Sequence, residues 1–131
     1  MITQRISTED AAGERLFVYG SLRRGEANHH WLAGASLLGA WQSTPAYTMY
    51  DLGEYPGITA HGQTAIQGEV YQLPPAALAR IDMLEEYPVV YTRRQVTTPF
   101  GTAWIYVLVA TPAGRPVIHS GDWCQRNSTD C

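Results

Sequence analysis

The sequence has few cysteines, few charged residues and no long apolar run, and each shortage argues against a class of protein. Its two cysteines, Cys124 and Cys131, fit neither a disulfide framework nor a zinc site, so a reduced, cytoplasmic setting is expected. Nine Lys and Arg against twelve Asp and Glu give a net charge of −3, which lacks the basic footprint of a nucleic-acid-binding protein. No apolar segment approaches the ~20 residues of a membrane span.

What the sequence does contain is enough apolar material for one core. Apolar residues make up 45% of the 131 residues and charged residues 16%, which is a globular composition. A chain of this length provides for one domain rather than two. We expect a flexible lead-in over residues 1–14, the domain over residues 15–124 and a C-terminal tail over residues 125–131.

Short apolar runs interrupted by Gly and Pro predict a β-rich chain. The first run stops at Gly20, as expected of a buried strand that enters a tight loop. The second strand of a predicted hairpin is apolar on both faces and is therefore expected in the middle of a sheet or barrel. The predicted strands are 16–19, 37–41, 46–52, 64–73, 91–98 and 102–110.

One helix of several turns is predicted in the middle of the chain. Pro74-Pro75 is typical of a first helical turn, and Pro88 ends the helix at or before Tyr87. A shorter helical segment is expected around residues 28–32. Several short strands with one or two helices indicate a small α+β or barrel-like domain. The inward stripe of the longer helix is Leu78, Ile81 and Leu84.

The first feature that points to chemistry is Tyr19-Gly20-Ser21-Leu22, directly after the first buried strand. A Gly-containing turn at a strand end can present several backbone N–H groups to one anionic oxygen. Loops at the ends of core strands are also where binding sites concentrate. Without further information, an ordinary strand-to-turn junction is the more frequent meaning of such a segment.

The second feature is a group of carboxylates, Asp82, Glu85 and Glu86, at the C-terminal end of the predicted helix. The negative end of the helix dipole and the like charges both disfavour ionised carboxylates there. A Glu buried at this point is therefore a candidate for a raised pKa and for proton transfer near neutral pH. In the alternative reading, Asp82 and Glu86 point to solvent and Glu85 pairs with Arg93 or Arg94.

Other chemistry-bearing residues are fewer. Glu69 lies in an otherwise apolar strand, so its charge must be paired or functional, and the residues alone do not choose between Glu69 and Glu85. The adjacent His29 and His30 cannot both face one metal on a helix, so a surface position or local hydrogen bonding is expected of them. No phosphate-binding glycine loop is present, and no metal or cofactor is predicted.

Four segments in this order resemble the gamma-glutamylcyclotransferase-like superfamily, and most closely its short branch, which includes gamma-glutamylamine cyclotransferase. The likeness extends over residues 16 to 123, and the order of all four makes it far more specific than any one segment. The segments are LFVYGSLRRG at 16–25, Asn28-His29, Gly68-Glu69-Val70-Tyr71, and Ile81-Asp82 with Leu84-Glu85, Pro88, Tyr91 and Arg93.

The resemblance implies a fold, a site and a reaction. The implied fold is a small mixed β-barrel with flanking short helices and a pocket at one end. Glu85 becomes the catalytic general acid/base, Glu69 a structural ion-pair partner, and Glu86 a charge at the pocket rim or a solvated residue. The implied reaction is attack of the α-amine of a γ-glutamyl amide on its own γ-carbonyl, which releases 5-oxoproline and a free amine without a cofactor. The implied substrate-binding residues are Tyr19, Gly20, Ser21, Leu22 and Tyr91.

Two functions of other classes stay open at this point. A non-catalytic binding module that retains the pocket has the same fold, since fold does not determine function. An adaptor with an exposed aromatic patch is the other, although core packing explains these aromatic residues more simply. The patch would comprise Trp31, Trp41, Tyr50 and Tyr55, and the expected specificity walls of a pocket are Met49, Tyr50, Tyr55 and Tyr87. The leaving amine and the oligomeric state do not follow from the sequence.

Overall fold

The computed structural model describes residues 14–125, and the structural statements below concern this part of the chain. The predicted lead-in and tail lie almost wholly outside the described residues. Two short 3-10 helices, His29–Leu32 and Trp123–Gln125, accompany the main elements. In chain order these are β1 (Arg15–Val18), β2 (Ser36–Gln42), β3 (Tyr47–Asp51), β4 (Pro56–Thr64), β5 (Gln67–Gln72), α1 (Ala77–Leu84), β6 (Tyr91–Thr98) and β7 (Gly101–Leu108).

The strands form a five-stranded mixed sheet in the order β2-β5-β1-β7-β6 and a two-stranded sheet of β3 and β4. Strand β1 is antiparallel to β5 and parallel to β7. Strands β6 and β7 form the predicted hairpin, with Tyr91 opposite Leu108 and Thr98 opposite Gly101. The predicted α+β class is confirmed. The barrel wording is not, because the described strands divide between two sheets instead of closing into one.

The position of β1 in the middle of the larger sheet explains its continuous apolar run, because both faces of a central strand are buried. Phe17 packs with Met49, Ile58 and other residues of one core cluster. Leu16 and Val18 belong to a second cluster, which includes residues of α1. Successive side chains of a strand point to opposite faces. The sheet therefore separates a core shared with the small sheet from a core shared with the helix.

The element bounds differ from the sequence prediction mainly at β4, which was not predicted. Its last residues, from His61 to Gln63, are exposed and polar, and Gly62 is among them. Such residues do not alternate between apolar and polar, so they do not predict a strand. Pro56, the first residue of β4, is a residue type typical of turns, although Pro is tolerated where a strand begins. The single strand predicted over 64–73 is in fact the end of β4 followed by β5.

Two residues singled out in the sequence have structural roles here. Glu69 accepts hydrogen bonds from the Arg23 side chain at 3.4 Å, the Arg24 N–H at 3.0 Å and the Tyr71 hydroxyl at 3.0 Å. Cys124 is buried and disulfide-bonded rather than free. The expectation of reduced cysteines is therefore wrong for Cys124. Two cysteines are too few for a framework of several disulfides, but they do not exclude a single one. Cys131 lies outside the described residues. Over residues 14–125, no helix combines the length and apolarity that crossing a bilayer requires.

Candidate active site

A cavity of about 270 Å³ lies where β1 and α1 both end. It contains every residue to which the sequence analysis assigned a catalytic or substrate-binding role, although those residues come from distant parts of the chain. The lining residues are Phe17, Val18, Tyr19, Gly20, Ser21, Leu22, Ala27, Asn28, Glu54, Tyr55, Pro56, Leu84, Glu85, Glu86, Val90, Tyr91 and Tyr106. The residues that the family resemblance assigned to one site therefore lie in one cavity. The role of each depends on its hydrogen bonds, its burial and its charge.

The loop after β1 is held through its carbonyl groups. The carbonyl of Gly20 accepts the Arg23 N–H at 2.9 Å, and that of Ser21 accepts the Asn28 N–H at 2.8 Å. A ring nitrogen of His29 lies 3.0 Å from the carbonyl of Leu22, which is the local hydrogen bonding expected of that residue. None of these bonds uses the N–H groups of the loop. Among residues 14–125 no backbone carbonyl accepts the N–H groups of Gly20, Ser21 or Leu22, so these donors can bind an anionic or carbonyl oxygen in the cavity.

Asn28 is a cavity residue to which the sequence analysis gave no role. Its side-chain amide donates to the Ser21 hydroxyl at 2.9 Å, in addition to the backbone bond between the two residues. This contact fixes the Ser21 oxygen as an acceptor and leaves the hydroxyl hydrogen for another partner. The signal that could have found Asn28 is its place in the Asn28-His29 segment of the family resemblance.

Gly20 is needed for packing as well as for ligand access. A Cβ atom at this position would lie 2.5 Å from Cγ of Pro56, which forms the adjacent cavity wall. The ring of a proline cannot swing aside, so any side chain at residue 20 must displace β4. The carbonyl of Pro56 in turn accepts the Tyr91 hydroxyl at 2.7 Å. The turn, the first residue of β4 and Tyr91 therefore form one rigid wall.

The two tyrosines predicted at the site are neutral wall residues. The Tyr19 hydroxyl donates to the carbonyl of Tyr106 at 2.8 Å, as that of Tyr91 does to Pro56. Burial, helped by the nearby Glu85, raises the pKa of both hydroxyls well above the ordinary tyrosine value. Because the Tyr91 proton is already bound to a carbonyl, its hydroxyl oxygen is left to accept a hydrogen bond from a ligand. The Tyr19 hydroxyl is hydrogen-bonded to the Ile58 main chain as well, which makes it a wall group.

Glu85 is the C-terminal cap residue of α1, and its N–H donates to the carbonyl of Ile81 at 2.9 Å. Its carboxyl group has no hydrogen-bond or ion-pair partner among residues 14–125. Burial first and the charge of Asp82 second raise the pKa of Glu85 to about 7. An acid with this pKa can both accept and donate a proton near neutral pH.

The main chain turns sharply after Glu85, and this turn brings two consecutive glutamates to the cavity. Glu86 has a φ of 55°, in the left-handed region that is usually occupied by Gly at the end of a helix. The N–H of Tyr87 donates to the carbonyl of Asp82 at 2.9 Å, and the N–H of Glu86 donates to that of Met83 at 3.2 Å. These two bonds form a Schellman-type end to the helix.

The alternative pairing considered for this helix end is wrong. It is Asp82, and not Glu85, that pairs with Arg93, at 2.8 Å. The reason is the fold: Arg93 lies on β6 and reaches the helix at the level of Asp82. Glu85 is directed to the cavity instead, where the lining residues include Glu54 and Glu86 but no Lys, Arg or His.

Of the four expected specificity walls, Tyr55 alone lines the cavity. Met49 is fully buried in the core shared with the small sheet. Tyr50 bridges to Val117, and the ring of Tyr87 lies against Arg93. No group of three His, Cys, Asp or Glu side chains within residues 14–125 is arranged to hold a metal ion.

The profile of one protein family, described as gamma-glutamyl cyclotransferase, AIG2-like, matches residues 16–125 of the chain. The chain belongs to this family. The resemblance noted in the sequence is thereby confirmed, and membership supports an enzyme of the cyclotransferase type. The matched region includes both the loop after β1 and the carboxylates at the end of α1.

Of three similar proteins, two align with most of this cyclotransferase-family chain and one with about half of it. A Vibrio cholerae relative is 50% identical over 111 residues, which are 85% of this chain and 96% of that protein. The Escherichia coli gamma-glutamylcyclotransferase family protein YtfP is 43% identical over 113 residues, 86% of this chain and 98% of that protein. The Niallia circulans gamma-L-glutamyl-butirosin B gamma-glutamyl cyclotransferase is 44% identical over 73 residues, 55% of this chain and 46% of that protein.

Solved structures agree with the fold. A Pyrococcus horikoshii protein superposes with a TM-score of 0.76 at 30% identity, over 88% of this chain and 93% of that chain. The solution structure of Escherichia coli YtfP gives a TM-score of 0.71 at 42% identity, over 86% and 98% of the two chains. These solved structures therefore share the fold of the chain.

Proposed function

We propose that the protein is a gamma-glutamyl cyclotransferase that converts a γ-glutamyl amide into 5-oxoproline and a free amine. The observation that carries this proposal is the carboxyl of Glu85. It is half-buried, it has no partner in the described chain, and it shares one cavity with a loop whose Gly20, Ser21 and Leu22 N–H groups donate to no backbone carbonyl among residues 14–125. Family membership and the name of the butirosin-related protein of Niallia circulans support the substrate class.

Main-chain donors bind the glutamyl unit in this proposal. No cationic side chain of the described residues lines the cavity, so we assign the α-carboxylate of the substrate and the γ-carbonyl oxygen to the N–H groups of the loop after β1 and to the Ser21 hydroxyl. The hydroxyl oxygen of Tyr91 accepts a hydrogen bond from the α-ammonium group, and Tyr19 forms the adjacent wall. The leaving amine extends toward the exposed residues Glu54 and Tyr55.

Glu85 moves the protons of the reaction. It accepts a proton from the α-ammonium group, and the free amine attacks the γ-carbonyl carbon to form the new C–N bond of the five-membered ring. Glu85 then donates the proton to the departing nitrogen as the original C–N bond breaks. The ring nitrogen passes its second proton to the Glu85 carboxylate, which hands it to the released amine, so that the products are 5-oxoproline and an ammonium ion and Glu85 is again a carboxylate. No cofactor enters this sequence of steps.

In this proposal, orientation of the substrate and electrostatic stabilisation of the transition state account for the rate enhancement. Holding the glutamyl chain curled, so that amine and carbonyl meet, is worth about 7–11 kcal/mol in well-oriented intramolecular reactions. A donor aimed at the developing oxyanion typically contributes about 3–4 kcal/mol. The loop after β1 is a source of such donors because its carbonyl groups, rather than its N–H groups, hold it in place.

The test is release of 5-oxoproline from a panel of γ-glutamyl amines and γ-glutamyl amino acids, measured by chromatography. We expect turnover of at least one panel member, lost in Glu85→Gln. Glu14→Gln is the matched control, because Glu14 is an exposed glutamate at the other end of β1. Binding of the compounds without release of 5-oxoproline would contradict the proposal and favour the binding module. Wild-type turnover in Glu85→Gln would refute the assignment of this residue.

A further inference from the structure

Asp82 has no step in the proposed reaction, yet three donors converge on its carboxylate. Arg93 donates to it through Nε at 2.8 Å and through a terminal nitrogen at 2.8 Å. The Tyr106 hydroxyl donates to the same carboxylate at 2.6 Å. A bidentate guanidinium pair with a third donor is a strong and geometrically specific contact. Its strength calls for an explanation beyond the capping of one short helix.

The guanidinium group that holds Asp82 is itself held on both faces. The central carbon of Arg93 lies 4.5 Å from the ring centroid of Tyr87 and 4.5 Å from that of Trp104. Stacking of this kind restricts the arginine before it forms its bonds, so less conformational entropy is lost in the ion pair. The charge pair is therefore a preorganised element rather than a mobile surface contact.

Asp82 is also connected to the cavity by short paths. It lies three residues before Glu85, on the neighbouring position of the same helix face. Its carbonyl accepts the Tyr87 N–H that closes the helix. Tyr106, whose hydroxyl reaches Asp82, lines the cavity and accepts the Tyr19 hydroxyl at its carbonyl. The helix end, the β6–β7 hairpin and the loop after β1 thus meet at this carboxylate.

We propose that Asp82 is the positioning residue of the site: its pair with Arg93 fixes the end of α1 over the cavity and places a permanent negative charge one helical turn from Glu85. Only the activity measurement of this inference rests on the proposed function. The geometric and electrostatic parts hold for the protein with or without a substrate.

The electrostatic consequence is that two carboxyl groups on one helix take opposite protonation states. Burial alone would raise the pKa of Asp82, but the hydrogen bonds of Arg93 and Tyr106 and the charge of Arg93 outweigh it and lower that pKa. The anion in turn adds to the raised pKa of Glu85. Separating the pKa values of neighbouring acids in this way assigns one as a fixed charge and the other as the proton carrier.

The other titratable groups that face Glu85 do not replace this charge. Tyr19 faces it from the loop after β1, and Tyr91 and Tyr106 face it from β6 and β7. Burial is the first cause that raises the pKa of each hydroxyl and keeps it neutral. The remaining carboxylates of the cavity, Glu54 and Glu86, are exposed to solvent, where their charges are screened.

The test measures the titration midpoint of Glu85 directly, by NMR of the side-chain carboxyl carbons, with the signal assigned by its loss in Glu85→Gln. We expect Asp82→Asn to lower the midpoint by about one pH unit, because a nearby negative charge is removed. We expect Arg93→Gln to leave the midpoint at its wild-type value or above it, because the charge of Asp82 then has no counter-ion.

These opposite directions separate an electrostatic role from a merely structural one. In Arg93→Gln the Tyr106 hydroxyl and the Tyr87 N–H still bind Asp82, so the charge effect should exceed the effect of any loosening of the helix end. A midpoint that falls in both variants would overturn the proposal. An unchanged midpoint in Asp82→Asn would also overturn it. If Asp82→Asn does not fold, the Arg93→Gln titration decides alone.

In the activity assay, the acidic limb of the pH profile of kcat/KM should move to lower pH in Asp82→Asn, together with the NMR midpoint of Glu85. Expected NMR shifts in a protein that releases no 5-oxoproline would contradict the proposed function and leave this inference standing. A limb that stays in place while the NMR midpoint moves would overturn the link between Asp82 and catalysis.

Discussion

Two half-buried glutamates in this molecule have opposite surroundings. Glu69 on β5 accepts hydrogen bonds from Arg23, the Arg24 N–H and the Tyr71 hydroxyl. Glu85 at the end of α1 has no such partner in the described chain and faces a cavity. A carboxylate surrounded by donors is kept as an anion that ties strands and loops together. A carboxyl buried without donors costs stability when it ionises and is retained where a movable proton is useful.

The largest expected effect separates the two residues by activity. Glu85→Gln should lower the turnover of 5-oxoproline formation by about 10²–10⁴-fold, the usual contribution of a general acid/base. Glu69→Gln should keep turnover per folded molecule within about tenfold, because its contacts lie outside the cavity wall. Initial rates at equal concentrations of folded protein measure both. Equal losses in the two variants would remove the distinction drawn here.

The next effect concerns stability and pH. The folded protein holds the Glu85 proton up to a pKa of about 7, whereas the unfolded chain releases it near the ordinary value of 4.5. The stability from this proton is therefore fully present below pH 4.5 and is lost as the pH rises through 7. We expect Glu85→Gln to increase the free energy of unfolding at pH 8 by up to about 3 kcal/mol relative to wild type.

Urea unfolding at several pH values measures this difference. The gain of Glu85→Gln should shrink as the pH falls toward 4.5, where both side chains are neutral. A gain that is independent of pH would show that Glu85 is ionised at little cost, and the contrast with Glu69 would then disappear.

The opposite sign is expected for Glu69. Glu69→Gln removes the anion that Arg23 contacts at 3.4 Å, although Arg23 keeps its bond to Asp122 at 2.7 Å. We expect a loss of about 1–3 kcal/mol in the free energy of unfolding at pH 7. The measurement is urea unfolding followed by tryptophan fluorescence. An increase in stability would show that the Glu69 cluster is not a structural tie.

The smallest effect tests the turn that follows Glu85. Glu86→Gly places the residue best suited to a left-handed φ at the end of α1, and we expect about 1 kcal/mol of added stability. Thermal unfolding at a constant pH of 7 measures it. A loss of stability instead would show that the Glu86 side chain makes a favourable contribution that outweighs the cost of its backbone conformation.

The part of the fold that could be predicted is the part with continuous apolar runs. Strands β1 and β7 were found because central strands of a sheet are apolar on both faces. The edge strand β6 was found through the hairpin turn that joins it to β7. Strand β4 was missed because its end is polar and contains Gly62, and nothing local distinguishes such an edge from a loop. The grouping of Tyr19 to Leu22 with Glu85 depended on the order of four segments in the family resemblance, since no local pattern joins positions so far apart.

The sequence by itself determined the fold class and the family, and its motif order grouped Tyr19 to Leu22 with Glu85, because apolar periodicity and motif order are properties of the chain. Only the tertiary structure decided which carboxyl is paired and which is not. Asp82, Glu85 and Glu86 are neighbours in the chain with nearly the same chemistry, and the difference arises from Arg93 and Tyr106 on strands that reach one of them. Charge pairing and burial depend on distances through space, and spacing along the chain does not contain them.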